Sequence, residues 1–164
     1  MPEAQRETAA TVGAKFMKAA LPIGAVVKRA MWMAILAAIC FGLLRGARPE
    51  LKIEPVLGAV ALATAPYAIH DVLVAATFLA KDVMALDAQN AVLSNPAAWL
   101  GLETGHSVAA TALKGLDFFE LWACALVGIG VNVVAGTRSW VPWLVSFGAH
   151  TTTVLVAVAG AAAT

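Results

Sequence analysis

The chain has 164 residues, of which 61% are hydrophobic and only 13% are charged, with a formal net charge of +1. Soluble domains average about 45–50% apolar and about 25% charged residues, so this composition is typical of a membrane protein. The small net charge indicates neither a nucleic-acid surface nor an acidic tail. Both cysteines, Cys40 and Cys124, lie in apolar runs, which favours buried packing residues over a disulfide or metal framework.

Charges divide the chain into a polar to amphipathic N-terminal tail, residues 1–18, and a predicted single transmembrane domain, residues 19–164. The first predicted span covers about residues 30–44 and is short for a hydrocarbon core of about 30 Å. Basic residues on both sides would extend it by reaching to the two interfaces. The second span covers about residues 56–80 and contains Pro66, which predicts a kink because proline lacks an N–H donor.

Residues 81–115 form a long and moderately polar connection between the second and third spans. Asn95-Pro96 favours a helix start there, because proline is tolerated in the first turn of a helix. Trp99 is apolar and follows directly, so we predict two short interfacial helices with Trp99 as an anchor. The alternative is an ordinary loop outside the membrane.

The third and fourth predicted spans cover about residues 116–135 and 140–162. Trp122, Trp140 and Trp143 lie near the starts of these spans and predict anchors in an aromatic belt. The predicted fold is therefore an all-α, polytopic integral membrane bundle, with about four transmembrane helices and short interfacial helices.

Two carboxylates, Asp117 and Glu120, stand at the start of the third span. Free backbone N–H groups and the helix dipole favour negative charge there. We therefore predict that both are helix-start acids at the membrane interface. The alternative is that they face inward and bind a cation or a proton.

His70 and Asp71 are polar residues inside the second span. Because an unpaired charge in lipid costs about 2.5–3.5 kcal/mol, they should face protein, and we predict an intramembrane polar clasp. Its members are His70, Asp71, Asn132 and His150. Two alternatives remain open: a proton or ion path through Asp71, and a haem or chlorophyll-type pigment held between His70 and His150.

The sequence contains no nucleotide-binding loop, dinucleotide fingerprint, zinc-ligand spacing or nucleophile elbow. It therefore predicts no catalytic residue, no metal ligand and no enzymatic activity. Lipid is the expected bound molecule, and no cofactor is predicted.

The segments "NPAAWLGLE", residues 95–103, and "LKGLDFFELWACALVGIGVNVVA", residues 113–135, resemble the Yip family of small polytopic membrane proteins. The resemblance covers roughly residues 55–140. The matching positions are Asn95, Pro96, Leu116, Asp117, Phe118, Trp122 and Gly130. It implies a multi-span helical fold, a capping role for Asp117, and membrane organisation or trafficking as the area of function.

We thus expect a non-enzymatic membrane protein that acts through protein contacts, in the inner membrane of a bacterium. It would be a Yip-like organising factor or an accessory subunit of a larger respiratory or photosynthetic complex. The expected partners are lipids and other membrane subunits, with no nucleic acid. The alternatives are a small transporter or channel using Asp71, or a haem- or pigment-binding protein using His70 and His150.

Overall fold

The computed structural model describes residues 27, 29–80, 92–102 and 107–163. The predicted N-terminal tail, residues 1–18, and residues 19–26 and 81–91 lie outside the described residues. The described part of the chain is helix, turn and connection without a strand, which confirms the predicted all-α class.

The described residues form seven helices, α1 to α7 in chain order. The first, α1, covers residues 29–45. The others are α2 (Ile53–Leu62), α3 (Ala65–Ala80), α4 (Pro96–Trp99), α5 (Val108–Lys114), α6 (Phe118–Val134) and α7 (Val141–Ala162).

The chain divides into two compact units, Met1–Ile35 and Leu36–Thr164. In the first unit the described residues are helical and expose Met31 and Trp32. The second unit contains the remainder of α1 and all of α2 to α7. There, α1 buries one face at the spacing of a helical stripe, namely Ala37, Cys40 and Leu44.

Helix α6 is the central helix of the second unit, because α2, α3 and α7 all pack against it. Small residues allow α2 and α7 to approach α6 closely. A Cβ on Gly130 would lie 3.4 Å from the Cβ of Ala59 in α2, and a Cβ on Gly128 would overlap the ring of Trp143 in α7. Val56, Val60 and Val131 fill the α2–α6 interface and are fully buried. The glycines of this run therefore serve helix packing, as expected for membrane helices.

Pro66 breaks the second predicted span into two helices. Helix α2 ends at Leu62, α3 begins at Ala65, and Pro66 occupies the first turn of α3, where its missing N–H costs nothing. The hydroxyl of Thr64 donates to the carbonyl of Ala61 at 2.7 Å and so satisfies one carbonyl at the break. The two helices still form one long apolar segment.

Two described segments are long and apolar enough to cross a membrane, Ile53–Thr77 and Val141–Ala162. Helices α5 and α6 meet at an angle of 48°, and the number rises to three if this bent pair is one span. Four spans therefore stay a prediction. The bounds of the third span, residues 116–135, stay a prediction as well: α6 lies within them, and α5 directly precedes it in the bent pair.

Candidate functional site

Asp117 is the N-cap residue of α6. Its Oδ1 accepts hydrogen bonds from the backbone N–H groups of Phe119, at 2.9 Å, and Glu120, at 3.2 Å. The hydroxyl of Ser94 donates to the other carboxylate oxygen, Oδ2. A carboxylate at this place satisfies free N–H donors and complements the positive end of the helix dipole. This is the capping geometry that the sequence predicts for Asp117.

Glu120, one turn into α6, connects three helices. Its Oε2 accepts a hydrogen bond of 2.6 Å from the hydroxyl of Tyr67 in α3. The same oxygen lies 3.9 Å from Nδ1 of His150 in α7. We refer to Tyr67, Ser94, Asp117, Glu120 and His150 together as the polar cluster.

The contact between Nε2 of His150 and the backbone of Gly115 fixes the tautomer of the imidazole ring. Nε2 of His150 lies 2.8 Å from the carbonyl oxygen of Gly115, and a carbonyl oxygen only accepts, so Nε2 carries a proton. The remaining nitrogen, Nδ1, faces the Glu120 carboxylate. In the neutral ring Nδ1 is therefore an acceptor, and it lies 3.9 Å from an acceptor oxygen of Glu120.

The polar cluster lies partway along α7 rather than at its end. His150 is nine residues after Val141 and twelve before Ala162, which corresponds to about 14 Å and about 18 Å of helix rise. The side chain of His150 is only 14% exposed and that of Glu120 is 43% exposed. Asp117 and Glu120 lie where α5 ends and α6 begins, beside this middle part of α7. Their position at the membrane interface stays a prediction.

His70 and Asp71, of the predicted clasp, lie on α3 next to this cluster. The ring of His70 packs edge-on against Phe119, with 5.2 Å between ring centroids. Nδ1 of His70 lies 3.5 Å from the carboxylate of Asp71, whose side chain is 60% exposed. His70 and His150 are thus both near the start of α6, through Phe119 and Glu120 respectively.

Asn132, the fourth predicted member, lies at the opposite end of α6. Its amide nitrogen donates to the carbonyls of Gly128 and Ser139, at 3.0 and 2.9 Å. Its Oδ1 accepts from the N–H of Ser139 at 2.9 Å. Asn132 therefore fixes the turn between α6 and α7, and the structure does not bring it together with the other three residues.

The predicted tryptophan anchors occupy different environments. Trp99 and Trp140 are 67% and 77% exposed, and the indole N–H of Trp99 donates to the carbonyl of Leu93 at 2.8 Å. Trp122 is partly exposed beside Phe118. Trp143 instead covers Gly128 and stacks on Phe147, with an interplanar angle of 9°. Three of the four rings are thus available to a membrane interface, while Trp143 is a packing residue.

Three polar residues of these contacts, Tyr67, Ser94 and Ser146, do not stand out in the sequence. Tyr67 is the one tyrosine of the chain, and a phenol inside an apolar run needs a partner for its hydroxyl. Ser146 is 2% exposed, and its Oγ lies 3.1 Å from the carbonyl of Cys124 in α6 and 2.9 Å from that of Pro142. An isolated polar residue in each apolar helix was the available signal.

Within the described ranges, no group of three or more His, Cys, Asp or Glu side chains is arranged to hold a metal ion. No protein-family model, no curated protein and no solved structure matches the chain.

Proposed function

We propose that this chain is a non-enzymatic integral membrane protein that acts through contacts with other membrane proteins. The observation that supports this most strongly is the exposure of α7. In its most apolar stretch only 6% of the residues are buried within the chain. Gly148 and Gly160 on this helix have no neighbouring atom within reach of an added Cβ.

An outward face with glycines suits a second helix better than it suits lipid. Small residues let two backbones approach closely, and membrane helices associate mainly through such packing. Thr152 and Thr153 are exposed on the same helix, and their hydroxyls donate to carbonyls one turn earlier, at 2.8 and 3.1 Å. The hydroxyl groups of both threonines are therefore satisfied within α7 itself.

The partner belongs to one of two classes. The Yip resemblance over residues 55–140 supports a membrane-organising factor, and the small size of the chain supports an accessory subunit of a respiratory or photosynthetic complex. In both cases we place the protein in the inner membrane of a bacterium. Identification of the proteins that co-purify with the chain from its native membrane separates the two classes.

The test is the mass of the native assembly in polymer-bounded membrane particles. Wild-type chain should give particles whose protein mass exceeds the 16.9 kDa of one chain. Gly148→Leu should return the mass towards a single chain, because leucine fills the outward face of α7. Gly58→Leu is the matched control, since Gly58 also lies in a helix and faces open space on α2. A wild-type protein that runs as a single chain in these particles contradicts the proposal.

The polar cluster supports a second candidate, a small proton or cation transporter. Glu120 and His150 face each other at 3.9 Å beside the break between α5 and α6, and ionisable groups within a membrane bundle commonly mark ion paths. The test measures the flux of protons or cations that a pH gradient drives across the membrane of proteoliposomes. Glu120→Gln should abolish flux, whereas Asp71→Asn should leave it intact. If flux depends on Asp71 instead, the transport residue is the one that the sequence favours. If the wild-type protein shows no flux, this candidate function is excluded.

A further inference from the structure

A shallow cleft of about 430 Å³ opens between the α1–α2 connection and the C-terminal end of α6. A hydrogen bond holds its two walls together: Nη2 of Arg48 donates to the carbonyl of Gly136 at 2.6 Å. Gly136 has a φ of +58°, a left-handed conformation that suits glycine at the end of a helix. The cleft therefore lies at the end of the molecule where α6 stops and α7 begins.

The charged groups of the cleft are Arg48, Lys52 and Glu50, which give it a net charge of +1. The guanidinium of Arg48 has five N–H donors. The Gly136 carbonyl uses one, and Glu50 lies 3.6 Å from Nη1. Lys52 is exposed and its side chain makes no capping bond to α2. The cleft thus presents remaining guanidinium donors and an exposed ammonium group.

The other side chains that line the cleft are apolar. Val133 is 72% exposed, Val134 is 38% exposed and Pro55 is exposed, whereas Leu51 is buried at 9%. Helices α2 and α6 pack against each other and expose further apolar side chains, Leu57 at 43% and Ile129 at 51%. A ligand that carries a negative head and an apolar tail therefore fits the site better than a free anion does.

We propose that this cleft binds the phosphate group of an anionic phospholipid, with its acyl chains along α2 and α6. Arg48 and Lys52 contact the phosphate oxygens: a guanidinium offers paired donors, and an ammonium adds a compact charge. The proposal rests on the membrane location of the chain and is independent of the partner proposed for α7. Its outcome is therefore separable from the assembly mass of Gly148→Leu.

The experiment is native mass spectrometry of the full chain in maltoside micelles. The probes are dioctanoyl-phosphatidylglycerol and dioctanoyl-phosphatidylcholine, which have equal chains and differ in net charge. Wild-type protein should bind the glycerol lipid at least about fivefold more tightly, the effect expected for one basic group at a membrane surface. Lys52→Gln should weaken binding of that lipid about fivefold and weaken binding of the choline lipid less, because the choline cation offsets the charge of its phosphate. Lys52 is the position to change, because Arg48 also holds the turn at Gly136.

Two further variants make the result specific to the cleft. Arg138→Gln is the matched control, because Arg138 is exposed in the α6–α7 connection but does not line the cleft. Its binding should equal that of wild type. Glu50→Gln should bind the glycerol lipid more tightly, since it removes the one acid of the cleft. The proposal is overturned if Lys52→Gln binds like wild type, if Arg138→Gln loses as much affinity, if both lipids bind equally, or if inorganic phosphate displaces the lipid at equal concentration.

Discussion

At the start of α6 a single carboxylate, Asp117, accepts two backbone N–H groups and the hydroxyl of Ser94. Glu120, three residues later, accepts from Tyr67 of another helix. The two acids are neighbours in the sequence, yet one serves its own helix and the other joins helices. The difference follows from position, because an N-cap side chain folds back over the first turn whereas the Glu120 side chain extends towards α3 and α7.

Substitutions at Asp117 should separate capping from charge. Asp117→Asn should change the free energy of unfolding by less than about 0.5 kcal/mol, because asparagine caps as well as aspartate. Asp117→Ala should lower it by about 1 kcal/mol, since two N–H groups lose their acceptor. Denaturation in mixed micelles, followed by circular dichroism, measures both. A loss in Asp117→Asn as large as that in Asp117→Ala would show that the charge, and not the cap, stabilises the helix.

The Tyr67–Glu120 hydrogen bond should have a measurable coupling energy. Tyr67→Phe removes the donor and should destabilise the protein by about 0.6–1.5 kcal/mol, the range for hydrogen bonds between membrane helices. A double-mutant cycle with Glu120→Leu in the same unfolding assay isolates the pair, because leucine offers no acceptor to the Tyr67 hydroxyl. Additive single effects, with no coupling between the two sites, would contradict the contact.

Helix packing depends on where glycines lie relative to large rings. Gly128 of α6 faces the ring of Trp143, and Gly115 faces the methyl groups of Val154 in α7. Ser146 bridges the same two helices. These contacts set an antiparallel register in which His150 meets the start of α6. The position of the polar cluster is therefore a consequence of the α6–α7 packing.

Gly128→Ala should destabilise the α6–α7 pair, because an added methyl group overlaps the Trp143 ring, which itself stacks on Phe147. The expected loss in unfolding free energy is about 1–3 kcal/mol, as for overpacked interiors. Gly58→Ala is the matched control: its added methyl group meets open space on α2, so the better helix propensity of alanine should leave stability equal or raised by up to about 1 kcal/mol. Equal unfolding curves for Gly128→Ala and wild type would show that Trp143 moves away without cost.

For the whole molecule, the α1–α2 and α6–α7 connections are joined by the Arg48–Gly136 hydrogen bond, so we expect both on the same side of the membrane. Helix α7 then leads away from that side over 22 residues, a rise of about 33 Å that matches a hydrocarbon core of about 30 Å. The C-terminal end of α7 is therefore expected on the other side.

Labelling of single cysteines tests this topology. In a protein whose two native cysteines are replaced by alanine, Gly46→Cys and Arg138→Cys should react with a membrane-impermeant maleimide from the same side of oriented vesicles. Ala163→Cys should react only from the opposite side. Gly46 and Arg138 are exposed in the structure, so lack of access is not expected to limit the reaction. Labelling of all three positions from one side would exclude α7 as a span.

The sequence by itself determined the helical fold, the apolar segments that are long enough to cross a membrane and several helix starts, because each depends on local properties. Asn95 accepts from the N–H of Ala98 at 3.0 Å, Pro66 begins α3, and Asp117 caps α6. Capping and proline geometry involve only residues within one turn, and apolar length is a property of one segment. The pattern of neighbouring residues in the sequence therefore predicts all of these features.

Only the tertiary structure decided which polar residues meet. Asn132 and His150 were grouped by the sequence as buried polar residues, yet they bind at opposite ends of α6. Tyr67 joins Glu120 across 53 positions of sequence. Such pairs depend on the register of packed helices, which Gly128, Gly130 and Ser146 set through contacts between segments. A side chain's need for a partner is visible in the sequence, but the partner's identity follows from where neighbouring helices approach closely enough to reach it.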